Sequence, residues 1–308
     1  MDYRRANRAY LYMILSTIGL VVALSLWYLN GGAEISILVN NVLSEAVVLI
    51  PAVAAVLYSG EKLSVLMPFR KLQMASVLLI VVYVLTLFPL VAFVNSISML
   101  FVENTVTAIS DDVLAMPMWI MILSIGILGP LVEEVVFRGV ILQSYQRTGR
   151  IVGSIVLSSV LFGMMHMNFN QFAYGAVMGV MLALLYEATG TVLASFIAHA
   201  VFNTIEVFIM FSNSEAIDEA TELASDYIGE LGGTASAIIY HAYLFLAAVM
   251  FTTLAILIVR KISDIEGRKE FLVNIPHTKK QGYKLVTIPL IIAMVIAVGF
   301  MFFSAGII

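Results

Sequence analysis

Seven polar side chains stand inside otherwise apolar stretches of this sequence, and their types are those of a hydrolytic site. Glu133, Glu134 and Arg138 share one apolar run, His166 lies in the next, and His199, Asn203 and Glu206 lie in a third. An ionisable group at mid-membrane costs a few kcal/mol, so such residues need a reason to be there. Spacing supplies part of it. Glu134 and Arg138 are four apart, hence on one helical face and able to pair. Glu133 is turned by about 100° from Glu134, so the two carboxylates cannot play the same role. Phe162 and His166 are also four apart, which sets an aromatic ring one turn below the imidazole. His199, Asn203 and Glu206 form a single polar stripe. Gly126, Gly129 and Pro130 precede the glutamates. Pro130 removes a backbone donor and can kink the helix, opening room for water.

A carboxylate shielded from bulk water can act as a general base. An imidazole can share its proton or bind a metal. An asparagine and a second histidine can donate to a developing oxyanion. Together these groups fit attack on an amide by an activated water. The same residue types also make structural ion pairs, interhelical hydrogen bonds and the proton paths of coupled transporters, and spacing alone leaves those readings open. With no cysteine in the chain, thiolate chemistry is excluded. No serine sits in a G-x-S-x-G elbow, and no His-Glu-x-x-His pair is present.

These residues must be positioned by helices in a membrane. Of 308 residues, 61% are hydrophobic and 12% charged, against roughly 45–50% and about 25% in soluble domains. That excludes a soluble enzyme, a disordered chain and a nucleic-acid binder. A bilayer crossing takes about 20 apolar residues. Apolar runs lie near 10–29, 41–58, 74–94, 115–143, 152–168, 171–187, 191–211, 237–259 and 285–305. The expected fold is an all-α polytopic transmembrane bundle of about eight to nine spans. It forms one membrane domain over 1–308, with a four-helix catalytic core at 115–211. The first run is too long for a signal peptide and lacks a cleavage site, so it reads as a span. With the N-terminus inside, all 16 Lys and Arg fall on the inner side, Arg138 alone standing within a run, and the outer loops carry only acids. This is the positive-inside pattern. Residues 212–236 read as an acidic outer loop, and 260–284 as a basic cytoplasmic loop near anionic headgroups. Trp27 and Tyr28 read as interfacial anchors, the methionines as filler, and His241 and His277 as residues without a role.

In order, Glu133-Glu134-Val135-Val136-Phe137-Arg138 resembles an E-E-x-x-x-R motif, Phe162 to His166 resembles F-x-x-x-H, and His199 to Asn203 resembles H-x-x-x-N. Separations of 32 and 33 residues from Glu134 to His166 to His199 complete a signature similar to that of the CAAX protease and bacteriocin-processing (CPBP) family. It covers about 120–210. The resemblance implies an intramembrane endopeptidase cutting a membrane-associated protein or peptide. It implies that Glu134 or Glu133, with His166, activates the water, and that His199 and Asn203 hold the oxyanion. Arg138 would fix the glutamates electrostatically, with Phe162 and Glu206 in support. The family is often classed as metalloprotease, and His166, His199 and Glu134 offer a ligand set for zinc; a metal-free glutamate base fits the same residues. The alternatives are a non-catalytic immunity or scaffold protein and a proton-coupled transporter. Expected partners are membrane lipid and the substrate, with no nucleic acid, and the expected location is a prokaryotic cell membrane with the N-terminus cytoplasmic.

One geometric condition follows. If the helix carrying Glu134 ended at Arg138, Glu134 would lie near one surface and His166 near the other. The site therefore requires that helix to run on to about Tyr145, and the next to stop near Asn168. A Glu134 carboxylate more than about 10 Å from both imidazoles could not share their chemistry.

Overall fold

The computed structural model describes residues 1–62, 65, 67–105, 109–212, 234–275 and 284–306. The acidic 212–236 segment lies almost wholly outside these residues, as do His277 and part of the basic 260–284 segment. Every described element is helical. They are α1 (Tyr3–Leu29), α2 (Ile37–Ser59), α3 (Met74–Ser98), the short α4 (Ser110–Leu114), α5 (Met118–Gln146), α6 (Ile151–Met165), α7 (Phe169–Thr189), α8 (Val192–Ser212), α9 (Thr234–Ile265), α10 (Lys269–Asn274) and α11 (Ile288–Ser304). Seven of them are long and apolar enough to cross a membrane; α6 and α11 are apolar but shorter. The chain is thus a multi-pass membrane protein with, among the described residues, seven such helices and two shorter ones.

Local signals account for the boundaries. Asp2 caps α1 by accepting from the Arg5 amide, Ser36 caps α2, and Asn168 caps α7, each satisfying an orphan donor of the first turn. Gly60 and Gly190 end α2 and α7 in the left-handed region, which glycine adopts without a Cβ penalty. α5 is one rod of mixed winding. π-helical turns at Ile122–Leu128 and Val135–Leu142 flank an α-helical Gly129–Glu134 that has Pro130 in its first turn. Each π turn has one residue more per hydrogen bond than an α turn, so the register of α5 is shifted on both sides of the glutamates.

Two smaller apolar clusters, around Ala183 and around Val207, bridge two large ones. One large cluster joins α1, α2, α5, α6 and α11 around Tyr10, Ala52, Phe137, Phe162 and Ala293. The other joins α3, α7, α8 and α9 around Tyr83, Leu182, Phe202 and Ala255. Small residues bring the halves together along the α6–α7 hairpin. A Cβ on Gly163 would stand 2.6 Å from the Phe172 carbonyl oxygen, and one on Gly179 would stand 2.8 Å from Ser159 Cα. Close backbone approach of this kind substitutes for the hydrophobic effect that helices in lipid lack. Tyrosines tie the outer helices on: Tyr10 donates to Leu161 O at 3.0 Å and Tyr83 to Met181 O at 2.9 Å.

The helix ends form two layers. In one, Arg147 makes a bidentate pair with Glu61 at 2.5 and 2.7 Å, Arg5 donates to Tyr58 O, and Arg268 donates to Glu187 O at 3.0 Å. Val192 N also donates there to Pro68 O at 3.1 Å. In the opposite layer, Asn170 donates to Asn95 at 2.7 Å and to Ser98 at 2.8 Å, and Thr105 donates to Asn168 at 3.1 Å. The described basic residues, Arg138 excepted, lie in or beside the first layer.

Candidate active site

The site lies on the seam between the two large clusters, with α5 and α6 on one side and α7 and α8 on the other. Helix α5 continues past Arg138 to Gln146, and α6 stops at Met165, so both conditions set by the sequence are met. Arg138 Nη1 donates to Glu134 Oε1 at 2.7 Å, and Arg138 Nη2 donates to Gly179 O at 3.1 Å. Its guanidinium lies over the Phe162 ring, 4.6 Å from the centroid. Glu134 is fully buried and Arg138 nearly so. A charge so placed needs partners on several sides, and Arg138 has a carboxylate, a carbonyl and a ring.

His199 joins the two glutamates. Its Nδ1 lies 3.0 Å from Glu134 Oε1 and its Nε2 lies 3.5 Å from Glu133 Oε2. The Arg138 pairing makes Glu134 an acceptor, so Nδ1 carries hydrogen and Nε2 is the nitrogen turned to Glu133. Asn203, one turn along, donates Nδ2 to the Ile125 carbonyl at 3.1 Å. Ile125 lies in the first π turn of α5, so the irregular winding and the amide on α8 are matched.

His166 follows directly on α6. Its ring meets Phe162 edge-on at 5.4 Å, and Phe162 in turn meets His199 at 5.8 Å and Phe137 at 5.1 Å. A Cβ on Gly175 would stand 3.2 Å from the His166 ring, so the glycine gives the imidazole its place. The next residue, Met167, takes φ 57°. This left-handed conformation costs a non-glycine residue on the order of 1–3 kcal/mol. It turns the chain sharply into α7, and Asn168 braces the turn by donating to His166 O at 2.9 Å while capping α7.

A cavity of about 160 Å³ is lined by Glu133, Phe162, His166, His199, Asn203 and Glu206, among others. Glu206 lies within electrostatic reach of Tyr174, which lines the same space. The structure thus gathers every residue singled out in the sequence, but it distributes them unequally. Glu133 faces the cavity; Glu134 lies behind it, held by Arg138 and His199. Among the described residues, His166 makes no hydrogen bond with either glutamate.

The zinc ligand set of His166, His199 and Glu134 does not fit this arrangement. Among the described residues no three His, Asp or Glu side chains converge as a metal site. Glu134 is bonded to His199 Nδ1 and to Arg138, whereas the other nitrogen of that ring, Nε2, is turned to Glu133, so Glu134 and Nε2 do not face a common point.

Two acids, Glu45 half-buried and Glu187 buried, escaped the sequence reading. Glu45, on α2, lies within electrostatic reach of Glu133, and its Oε1 is 3.3 Å from where a Cβ on Gly129 would be. Glu187, near the end of α7, accepts a hydrogen bond from Gln146. Each stands inside an apolar run, so the cost rule that found Glu133 also points to them.

Residues 115–205, which contain Glu133, Glu134, Arg138, His166, His199 and Asn203 but not Glu206 or Glu45, match the family described as type II CAAX prenyl endopeptidase, Rce1-like. The match is confined to this stretch, under a third of the chain. It is 34% identical over 108 residues to "Putative membrane peptidase YdiL" of Bacillus subtilis (strain 168), covering 35% of this chain and 43% of that protein. It is 36% identical over 112 residues to "Membrane-embedded CAAX protease MroQ" of Staphylococcus aureus (strain USA300), covering 34% of this chain and 45% of that protein. The matched stretch therefore spans under half the length of either relative. No solved structure matches the chain.

Proposed function

We propose that the protein is an intramembrane endopeptidase of the bacterial cell membrane, crossing the bilayer nine times with its N-terminus cytoplasmic. It hydrolyses a peptide bond of a membrane-associated protein or peptide by attack of water. The observation that carries this reading is the bridging position of His199. One nitrogen is fixed by Glu134 and Arg138, and the other is turned to Glu133, at a cavity that His166 and Asn203 also line.

The geometry supports the following roles. Glu133, the glutamate facing the cavity, takes a proton from water as the water oxygen bonds to the carbonyl carbon. The carbonyl oxygen gains the negative charge and is held by donors lining the cavity: His199 Nε2, with the ring in its doubly protonated form between the two glutamates, and the second hydrogen of Asn203 Nδ2. Collapse of this intermediate breaks the C–N bond, and the proton held by Glu133 passes to the leaving nitrogen. His166, which lines the same cavity, orients the water. Glu134 and Arg138 act through His199, fixing its ring plane.

The test is cleavage of a membrane-associated peptide by purified protein in lipid nanodiscs. Glu134→Ala and His166→Ala should each abolish cleavage, and Glu133→Gln should do so with the helical content unchanged. Full activity in the alanine variants would reject the reading.

A further inference from the structure

The cavity has a direction, and the charge pattern gives that direction a biological side. From Glu133 and His199 it rises along α8 past Asn203 and Glu206 to Met210, two residues short of the helix end at Ser212. On the facing wall it reaches Ile109, which is exposed. None of its lining residues belongs to the layer that holds Arg5, Glu61, Arg147 and Arg268. Towards that layer the way is packed shut. Glu134, Arg138, Phe137, Leu142 and Tyr145 are all buried there, and Arg138 Nη2 bonds α5 to the Gly179 carbonyl of α7. Helix α6 also stops short on the open side: 15 residues reach about 22 Å, against a hydrocarbon core of about 30 Å. His166 at its end is therefore recessed beneath the surface on that side.

The 15 Lys and Arg other than Arg138 belong by sequence to the closed side or to its connecting segments, and the loops of the open side carry acids alone. Basic loops stay in the cytoplasm. We infer that the catalytic cavity opens on the extracytoplasmic side of the membrane. Resting on the peptidase reading above, the substrate class is then a peptide segment presented at the outer leaflet, not a cytoplasmic tail. At about 160 Å³ the cavity is below the ~300–1,000 Å³ of pockets that enclose a whole drug-sized ligand. It accommodates the scissile bond with its neighbouring side chains and leaves any membrane anchor of the substrate in the bilayer.

The absence of cysteine in the chain makes a direct test possible. Single-cysteine variants Met210→Cys at the mouth, Val207→Cys on the wall and Lys62→Cys on the closed side are treated with a membrane-impermeant maleimide. The reagent is applied to intact cells and to inside-out vesicles. Met210→Cys and Val207→Cys should label in intact cells, and Lys62→Cys in inside-out vesicles alone. Labelling of the two cavity positions in inside-out vesicles alone overturns the inference. So does labelling of Val207→Cys from neither side, or of Lys62→Cys in intact cells. A second arm compares cleaved termini in wild-type cells with those in a Glu133→Gln strain. Termini lost in the variant should map to extracytoplasmic segments, and termini confined to cytoplasmic segments overturn the substrate class. If no terminus is lost while the labelling holds, the peptidase reading fails and the opening stands.

Discussion

Glu133 and Glu134 are sequence neighbours with opposite environments, and substitution should separate them. Glu133→Gln removes the cavity carboxylate while keeping shape and a hydrogen-bonding group. We expect peptidase activity to fall by roughly 10²- to 10⁴-fold, with the thermal midpoint in detergent unchanged. Glu134→Gln leaves Arg138 buried without its carboxylate partner. It should destabilise the protein by ~3–5 kcal/mol, visible as a lowered midpoint in addition to lost activity. Arg138→Lys tests the fork itself: an ammonium is a compact point charge and cannot hold Glu134 Oε1 and Gly179 O in one plane, so both stability and activity should drop despite the retained charge. At this scale the sequence was informative in a specific way. The i, i+4 spacing announced the Glu134–Arg138 pair, because a helix puts such residues on one face. It did not announce which glutamate faces the cavity, because that depends on the π turns on either side of them. Nor did it reveal the pairing of His199 Nδ1 with Glu134, which joins residues 65 apart.

Among the elements, the α6–α7 hairpin is the most exacting. Gly163 and Gly179 let the two backbones meet, and a methyl group at Gly163 would press on the Phe172 carbonyl at 2.6 Å. Gly163→Ala should therefore cost ~1–3 kcal/mol through overpacking and shift His166 relative to His199. The expected readout is a lowered midpoint with a larger proportional loss of activity. Element boundaries were largely legible. Among the described residues the apolar runs forecast the nine longer helices, most ends within a few residues, although α1 starts at Tyr3 instead of 10 and α9 ends at Ile265 instead of 259, because length and hydropathy dominate in a membrane protein. The extension of α5 to Gln146 and the early stop of α6 followed from requiring one shared site. The winding of α5 was not legible. Pro130 signalled an irregularity, but no residue pattern distinguishes a kink from two π turns. Glu45 and Glu187 went unnoticed although each interrupts an apolar run, and both turn out to lie at contacts between elements: Glu45 against Gly129, Glu187 with Gln146.

Across the whole molecule, sorted charge is the organising feature. At the basic layer the bidentate hydrogen bonds from Arg147, reinforced by the N-terminal amino group, hold the Glu61 carboxyl down at about 2. This is below its ordinary 4.5, so the stabilisation is complete above that ordinary value and is lost as pH falls towards 2. Thermal midpoints measured between pH 5 and pH 2 (about the span of these two values) should decline, and Glu61→Gln should flatten that part of the decline. The pair is partly exposed, so its contribution is modest and weakens with salt. The seam between the two large apolar clusters has a different consequence. Two smaller apolar clusters, the α6–α7 glycine contact and the Arg138–Gly179 hydrogen bond tie the large clusters across it, and the reacting groups are contributed from both sides: Glu133 and His166 from one, His199 and Asn203 from the other. A slight parting of the halves would separate them before either half lost its helices. Inactivation and unfolding are thus distinct events in this protein. On heating in nanodiscs, peptide hydrolysis should vanish at a lower temperature than the helical circular dichroism signal, and should return on cooling if the halves have not yet melted.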